Sequence, residues 1–201
     1  MARKFNTVLA ILLLISSCVH GGNAAQAAAP NDYRFIPLGE VNDEAAERIV
    51  IELGLLNMLP VNERPNAIFI EIDSPGGSVD SGKDIIKAIE ASNIEVVCRV
   101  GSNATAASMG FMILEACPVR VMSSSALLMW HTVSLSGGRI NAKNMDELVG
   151  IINAMNHASA NFVSRRMTLS AQEVFEKMQK GDWWMASDEA LAIGAVDFVI
   201  P

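Results

Sequence analysis

Short apolar runs alternate along most of the chain with stretches in which apolar residues recur every three or four positions. The run Ala67–Ile72 (AIFIEI) is almost continuously apolar, which is typical of a strand buried on both faces. The apolar spacing that begins after Asp43 instead predicts an amphipathic helix. Because strand and helix units repeat in this way, the sequence predicts a layered α/β domain whose strands are connected through helices.

The same patterns predict the remaining elements. Further strands are predicted at Tyr33–Leu38, Ile94–Val100, Val119–Met122, Ala126–Trp130, Trp184–Met185 and Val196–Ile200. Further helices are predicted around Val79 to Ile89, over Ser108–Ala116, along Asn141–Met167, after the capping box of Ser170 and Glu173, and from a cap at Ser187 to a stop at Gly194. No internal repeat and no second-domain linker interrupts this order, so one compact domain is expected over residues 31–201.

The first thirty residues have the features of an export signal followed by a flexible spacer. Two basic residues precede the apolar run Val8–Ile15 (VLAILLLI), which is too short to span the roughly 30 Å of a bilayer core. Two cleavage sites compete: a lipobox-like segment that ends at Cys18, and a small-x-small site near Ala27. We therefore expect an exported protein, either free in a bacterial periplasm or held in the cell envelope by a lipid on Cys18.

Composition narrows the class of protein. The 201 residues are 51% hydrophobic and 18% charged, which excludes a disordered chain, and the net charge of -7 argues against nucleic-acid binding. Three cysteines without a C-x-x-C pair and three distant histidines argue against a metal site, and we expect no cofactor. Cys98 and Cys117 remain after the leader, and the sequence leaves open whether they pair or stay as buried thiols.

Three segments carry side chains suited to catalysis, although each has an ordinary structural explanation. The glycines Gly76 and Gly77 follow a buried strand and precede a helix, where free backbone N–H groups can hold an anion, but tight turns look the same. Ser108 lies among very small residues at a helix start, where it is either a nucleophile or a helix cap. His131 follows an apolar strand, a common place for a histidine without catalytic function.

These segments occur together in an order that resembles the proteolytic subunit of the Clp protease family. The resemblance rests on four segments: IDSPGGSV at residues 72–79, AASMG at 106–110, LMWH at 128–131, and DWWMASDEA at 182–190 followed by IGAVD at 193–197. It implies the ClpP/crotonase fold, with a protruding handle formed by the long helix Asn141–Met167. It also implies a serine peptidase that assembles as a homo-oligomer and acts on peptides or unfolded polypeptides.

The resemblance assigns roles to five residues. Ser108 is the expected nucleophile, His131 the general base and Asp182 the residue that orients the imidazole. The backbone N–H groups of Gly77 and Met109 are expected to form the oxyanion hole.

The sequence departs from the family in ways that affect its expected partners. Only about three residues separate the spacer from the first strand, where family members carry a longer segment that contacts a partner ATPase. Export would also remove the enzyme from ATP, so we expect a peptidase that works without an ATPase. Thr132 and Val133 replace the glutamine and proline that commonly follow the family's histidine.

Three other functions stay open at this point. A serine-lysine peptidase of the signal-peptide-peptidase type would use Lys143 as its base. A crotonase-like acyl-CoA enzyme would use similar glycine N–H donors to hold a thioester enolate, although export away from CoA argues against it. A non-catalytic binding module of the same fold would carry an unreactive Ser108.

Overall fold

The computed structural model describes residues 33–134 and 145–201, which form eight strands and six α-helices. The strands are β1 (Tyr33–Leu38), β2 (Ala67–Ile72), β3 (Glu95–Val100), β4 (Thr105–Ala107), β5 (Val119–Ser123), β6 (Leu127–Trp130), β7 (Trp183–Met185) and β8 (Phe198–Ile200). The helices are α1 (Asp43–Met58), α2 (Val79–Glu90), α3 (Met109–Ala116), α4 (Met145–Val163), α5 (Ala171–Gln179) and α6 (Ser187–Ala192), with 3-10 turns at Val61–Glu63 and Ser164–Arg166. The predicted leader and spacer, including Cys18 and Ala27, lie outside the described residues.

The strands form two sheets. The larger sheet has five parallel strands in the order β1-β2-β3-β5-β8. The smaller sheet has the order β4-β6-β7, in which β4 and β6 are parallel and β6 and β7 are antiparallel. The predicted α/β class is therefore confirmed, and the parallel pairing agrees with the helices that separate most strands along the chain.

Burial of both sheet faces explains the continuous apolar runs. In β2, Ile68 and Ile70 belong to the main core, while Ala67 and Phe69 belong to a smaller cluster on the opposite face. All four side chains are at most 2% exposed. A strand buried on both faces has no polar face to alternate with, which is why β2 is apolar at every position except Glu71.

Helix α3 is fixed to the sheet at its C-terminal end by a disulfide. Cys98 on β3 and Cys117, the residue that caps α3, are joined with their Cα atoms 5.8 Å apart, and both are fully buried. The sequence left this pairing open because the proximity depends on α3 running back along β3. The bond closes a loop that contains β4, Ser108 and the whole of α3.

A buried ion-pair network lies at the same end of α3. The Arg120 guanidinium donates to Glu115 at 2.6 Å and to Asp197 at 2.9 Å, and Arg166 donates to Asp197 at 3.0 Å. Both Glu115 and Arg120 are almost fully buried. Burial raises the pKa of Glu115 to about 8 and outweighs the attraction of Arg120, which acts in the opposite direction.

Several predicted boundaries were wrong. Helix α3 begins at Met109 rather than Ser108, and the small-residue loop before it contains the strand β4. The described part of the long helix ends at Val163, where a 3-10 turn tightens the chain, and residues 141–144 lie outside the described residues. Ser187 is the first residue of α6, and its N-cap Ala186 has no side-chain hydrogen bond, so Ser187 does not cap this helix. The capping box of Ser170 and Glu173 is confirmed.

Candidate active site

Ser108 occupies a strained turn between a strand and a helix. Strand β4 ends at Ala107 and helix α3 begins at Met109, which leaves Ser108 alone at the turn with φ of 52° and ψ of -119°. A residue with a Cβ rarely adopts a positive φ, and such strain is concentrated at functional sites. The Ser108 side chain makes no capping hydrogen bond to α3, so the helix-cap explanation does not account for it. A sharp strand-turn-helix of this kind presents a hydroxyl at the surface of a fold.

Very small neighbours make this turn possible. A Cβ on Gly110 would lie 2.9 Å from the Cβ of Ser74, and a Cβ on Gly76 would lie 2.7 Å from the Cβ of Ser108. The Ser108 N–H donates to the carbonyl of Met129 on β6 at 2.9 Å, which fixes the turn against the smaller sheet. The run of small residues noted in the sequence is therefore a requirement of close backbone packing.

Two backbone N–H groups flank the Ser108 turn. Val41 pairs with Gly77 as in a parallel ladder. The Val41 N–H donates to the carbonyl of Gly76, and the Ser78 N–H donates to the carbonyl of Val41. In this pairing the N–H of Gly77 points away from Val41. Met109 is the first residue of α3, so its N–H has no acceptor within the helix. Neither N–H donates to another residue in the described part of the chain.

The glycine turn places these donors close to the hydroxyl. A Cβ on Gly76 would lie 3.0 Å from the backbone nitrogen of Met109. Gly76 and Gly77 have φ values of 98° and 143°, and a Cβ on Gly77 would overlap the carbonyl oxygen of Val41. Only glycine combines a positive φ with the absence of a Cβ, so the SPGG motif lets this turn pack closely against Ser108 and Val41. Two free donors beside one hydroxyl can stabilise an oxyanion that forms there.

His131 lies at the same edge of the smaller sheet as Ser108. Strands β4 and β6 are parallel, with Ala107 opposite Met129, and each candidate residue follows the carboxyl end of its strand. Ser108 and His131 also line the same cavity, which has a volume of about 400 Å³. No hydrogen bond joins the two side chains among the contacts of the described residues. Catalytic hydrogen bonds are often unformed without substrate, so this geometry is compatible with a nucleophile and its base.

Asp182 lies opposite His131 across an antiparallel pair of strands. Trp130 on β6 is paired with Trp183 on β7 as the last pair of the ladder, so by register His131 and Asp182 stand opposite each other one position beyond it. Cα atoms of directly opposite residues are about 4.5 to 5.5 Å apart in such ladders. The Asp182 side chain is exposed and makes no hydrogen bond with His131 in the described structure. The pairing of β6 with β7 thus places the backbones of the two residues at the same end of the ladder.

Trp183, the residue after Asp182, is held in place by two side-chain contacts. The Trp183 indole N–H donates to Glu189 on α6 at 3.0 Å, and the Lys177 ammonium lies 4.5 Å from the centre of its ring. These contacts fix β7 against α5 and α6. Of the three tryptophans, Trp130 lines the cavity, Trp183 is buried and Trp184 is half exposed.

The cavity beside Ser108 has mainly apolar walls. Its apolar lining residues are Val79, Ile86, Met109, Met112, Trp130, Val133, Met155, Ala158 and Phe162. Two charged side chains, Lys83 and Lys87, also line it. Within residues 33–134 and 145–201, no group of three or more acidic, histidine or cysteine side chains is placed to hold a metal ion. In the same residues no helix has the length and apolar character needed to cross a bilayer.

Comparison with known proteins identifies the family. The sequence profile of the Clp protease family matches residues 27–201. The chain belongs to the Clp protease family. Its fold is accordingly that of the Clp proteolytic subunit, as the four motifs predicted.

Two relatives show how distant the chain is within the Clp protease family. The "ATP-dependent Clp protease proteolytic subunit 3" of Synechococcus sp. (strain CC9902) is 31% identical over 179 residues, which cover 83% of this chain and 82% of that protein. The "ATP-dependent Clp protease proteolytic subunit 2" of Tropheryma whipplei (strain Twist) is 28% identical over 171 residues, 83% of this chain and 90% of that protein. Clp protease family members are serine peptidases that act on peptides and typically form oligomers.

Proposed function

We propose that this protein is an exported serine peptidase that hydrolyses peptides or unfolded polypeptides through a Ser108-His131-Asp182 triad. The observation that carries the proposal is the strained Ser108 turn, which faces a cavity and lies beside two unpaired backbone N–H groups. Membership of the Clp protease family supports the same reaction.

In the proposed mechanism, each residue acts from its position at the sheet edge. His131 takes the Ser108 proton as the hydroxyl oxygen attacks the peptide carbonyl carbon, and then gives that proton to the leaving amine. Asp182 orients the imidazole and stabilises its charged form. The N–H groups of Gly77 and Met109 receive the oxyanion, and losing one such donor typically costs about 3 kcal/mol of transition-state stabilisation. Water then attacks the acyl-enzyme carbonyl while His131 takes its proton, and that proton passes to the Ser108 oxygen as the carboxylic acid product leaves.

We also propose that the enzyme works outside the cytoplasm and without an ATPase. The apolar run Val8–Ile15 after two basic residues has the pattern of an export signal. The Cys98–Cys117 disulfide supports an oxidising compartment, since such bonds rarely persist in the cytosol. ATP is not supplied there, so hydrolysis is expected to proceed without it. Membrane attachment through a lipid on Cys18 is tested by cell fractionation of the natural chain and of Cys18→Ala.

A homo-oligomer is part of the proposal. Helix α4 corresponds to the predicted handle and exposes the apolar side chains Met145, Val149 and Ile151. Such side chains fit a seam between subunits, as the resemblance to the Clp protease family implied.

The proposal is tested by hydrolysis of a fluorogenic peptide and of unfolded casein by the mature protein without ATP. Ser108→Ala and His131→Ala should each lower kcat at least about a thousandfold, with a smaller loss for Asp182→Asn. Ser102→Ala is the matched control, because Ser102 is an exposed serine in the preceding loop.

The same assay separates the proposal from its alternatives. Hydrolysis that survives His131→Ala but is lost in Lys143→Ala would assign a serine-lysine peptidase instead. Lys143 lies outside the described residues, so only the variant tests it. A folded protein without any Ser108-dependent hydrolysis would indicate a binding module.

A further inference from the structure

The cavity beside Ser108 has a local charge opposite to that of the whole chain. The chain carries 22 acidic and 15 basic residues, with a net charge of -7. Among the described residues that line the cavity, by contrast, Lys83 and Lys87 are the charged side chains and none is a carboxylate. A cleft that is lined by one sign of charge and by apolar walls concentrates the opposite charge.

Helix α2 holds the two lysines in a row that starts near the proposed oxyanion hole. Val79, Lys83 and Lys87 are spaced four residues apart and therefore share one face of α2. The helix packs closely on the nucleophile turn, because a Cβ on Gly82 would overlap the Met109 side chain. At 1.5 Å per residue, the two lysines lie roughly 9 and 15 Å along the helix from Gly77.

The present partners of the lysines leave them available to a ligand. Lys83 pairs with Asp80 at 3.6 Å and Lys87 with Asp84 at 2.8 Å, and neither aspartate lines the cavity. Both pairs are exposed contacts between residues three apart on one helix, a class that contributes little stability. The hydrogen bond that Lys87 donates to Asp84 raises the pKa of Lys87, so its ammonium stays charged through the neutral range. A carboxylate that enters the cavity can therefore replace either aspartate.

We propose that this site prefers peptides that carry an aspartate or glutamate within about three residues of the scissile bond. An extended peptide advances about 3.3 Å per residue, so a side chain one to three residues from the reacting carbonyl reaches the region of Lys83 and Lys87. The apolar walls receive the neighbouring apolar side chains of the same peptide. This inference rests on the proposed function, because it takes Ser108 as the point where the scissile bond is held.

Binding of labelled peptides to Ser108→Ala tests the inference without turnover. Apolar peptides that carry a single glutamate at successive positions are compared with their glutamine counterparts by fluorescence anisotropy. At one or more positions the glutamate peptide should bind about three- to tenfold more tightly at low salt, and the difference should shrink as salt is raised. Lys83→Gln and Lys87→Gln should each reduce the preference, and their combination should remove it. Lys180→Gln is the control, because Lys180 is exposed and does not line the cavity.

The outcomes separate this inference from the proposed function. Equal binding of glutamate and glutamine peptides at every position would overturn the charge preference, as would a preference that persists in the double variant. A preference that depends on the lysines supports the charge preference of the cavity; if the natural protein then hydrolyses neither peptide, the proposed function fails and the carboxylate is placed relative to the cavity rather than to a scissile bond. Hydrolysis of both peptides at equal kcat/KM, together with equal binding, would support the peptidase and overturn the inference.

Discussion

Reduction of the Cys98–Cys117 disulfide should destabilise the whole domain. The bond joins residues 19 positions apart. Closing a loop of that length removes about 11 cal/mol/K of entropy from the unfolded chain, or about 3 kcal/mol at 25 °C. For a domain of 150 to 250 residues, each kcal/mol shifts the unfolding midpoint by about 2 to 4 °C, so reduction should lower Tm by about 6 to 12 °C.

Thermal unfolding followed by circular dichroism, with and without a reductant, measures this effect. The chain with Cys18→Ala is used so that the observed thiols come from Cys98 and Cys117 alone. Both cysteines are fully buried, so the reductant is added to unfolded protein before refolding. Alkylation and intact mass then report how many thiols are free in each sample.

Two results would refute the reasoning. The first is a Tm that is the same in the oxidised and reduced proteins, which would mean that the loop does not constrain the unfolded chain. The second is the presence of two alkylatable thiols in unfolded protein isolated from an oxidising compartment. That result would also remove one support for export.

Further predictions concern the buried acid, the glycine turn and the anchored strand. Burial raises the folded-state pKa of Glu115 to about 8 from an ordinary 4.5. Between these two pH values the folded chain holds a proton that the unfolded chain has released. The free energy of unfolding should therefore fall as pH rises from about 4.5 to 8. Denaturant titrations of Glu115→Gln should show a flatter dependence over that range, and an unchanged slope would contradict the assignment. Gly77→Ala should lower kcat by about a hundredfold or more, whereas Gly39→Ala, where a Cβ meets nothing within 4 Å, should leave kcat unchanged. Trp183→Phe removes a partly buried hydrogen bond next to Asp182 and should lower kcat several-fold and shift the acid limb of the pH-rate profile. Trp184→Phe, at a half-exposed position, should change neither. An effect of equal size in the two tryptophan variants would argue against a positioning role.

The larger sheet could be read from the sequence because its strands carry strong local signals. Tyr33–Leu38 and Ala67–Ile72 were predicted with the bounds that the structure has. Ala67–Ile72 is buried on both faces and therefore almost continuously apolar, whereas Tyr33–Leu38 is an edge strand marked by a short, mostly apolar run. The capping box at Ser170 could also be predicted, because its partner Glu173 lies only three residues away in the first turn of the same helix.

The site geometry depends on pairings that no local pattern encodes. Strand β4 consists of Thr105, Ala106 and Ala107, which lack a hydrophobic pattern, so it looked like a loop. The position of Asp182 opposite His131 follows from the antiparallel pairing of β6 and β7, whose strands are more than fifty residues apart in the chain. The family motifs identified Ser108, His131 and Asp182 as candidates. The topology of the smaller sheet supplies a physical reason for their proximity.

The most direct test of the central claim is the reaction of Ser108 with a fluorescent fluorophosphonate. The account predicts that the mature, folded protein becomes labelled once per chain, that peptide mapping places the label on Ser108, and that Ser108→Ala is not labelled. His131→Ala should react much more slowly, because the hydroxyl then lacks its base. Absence of label in correctly folded natural protein, or labelling at the same rate without His131, would contradict the account.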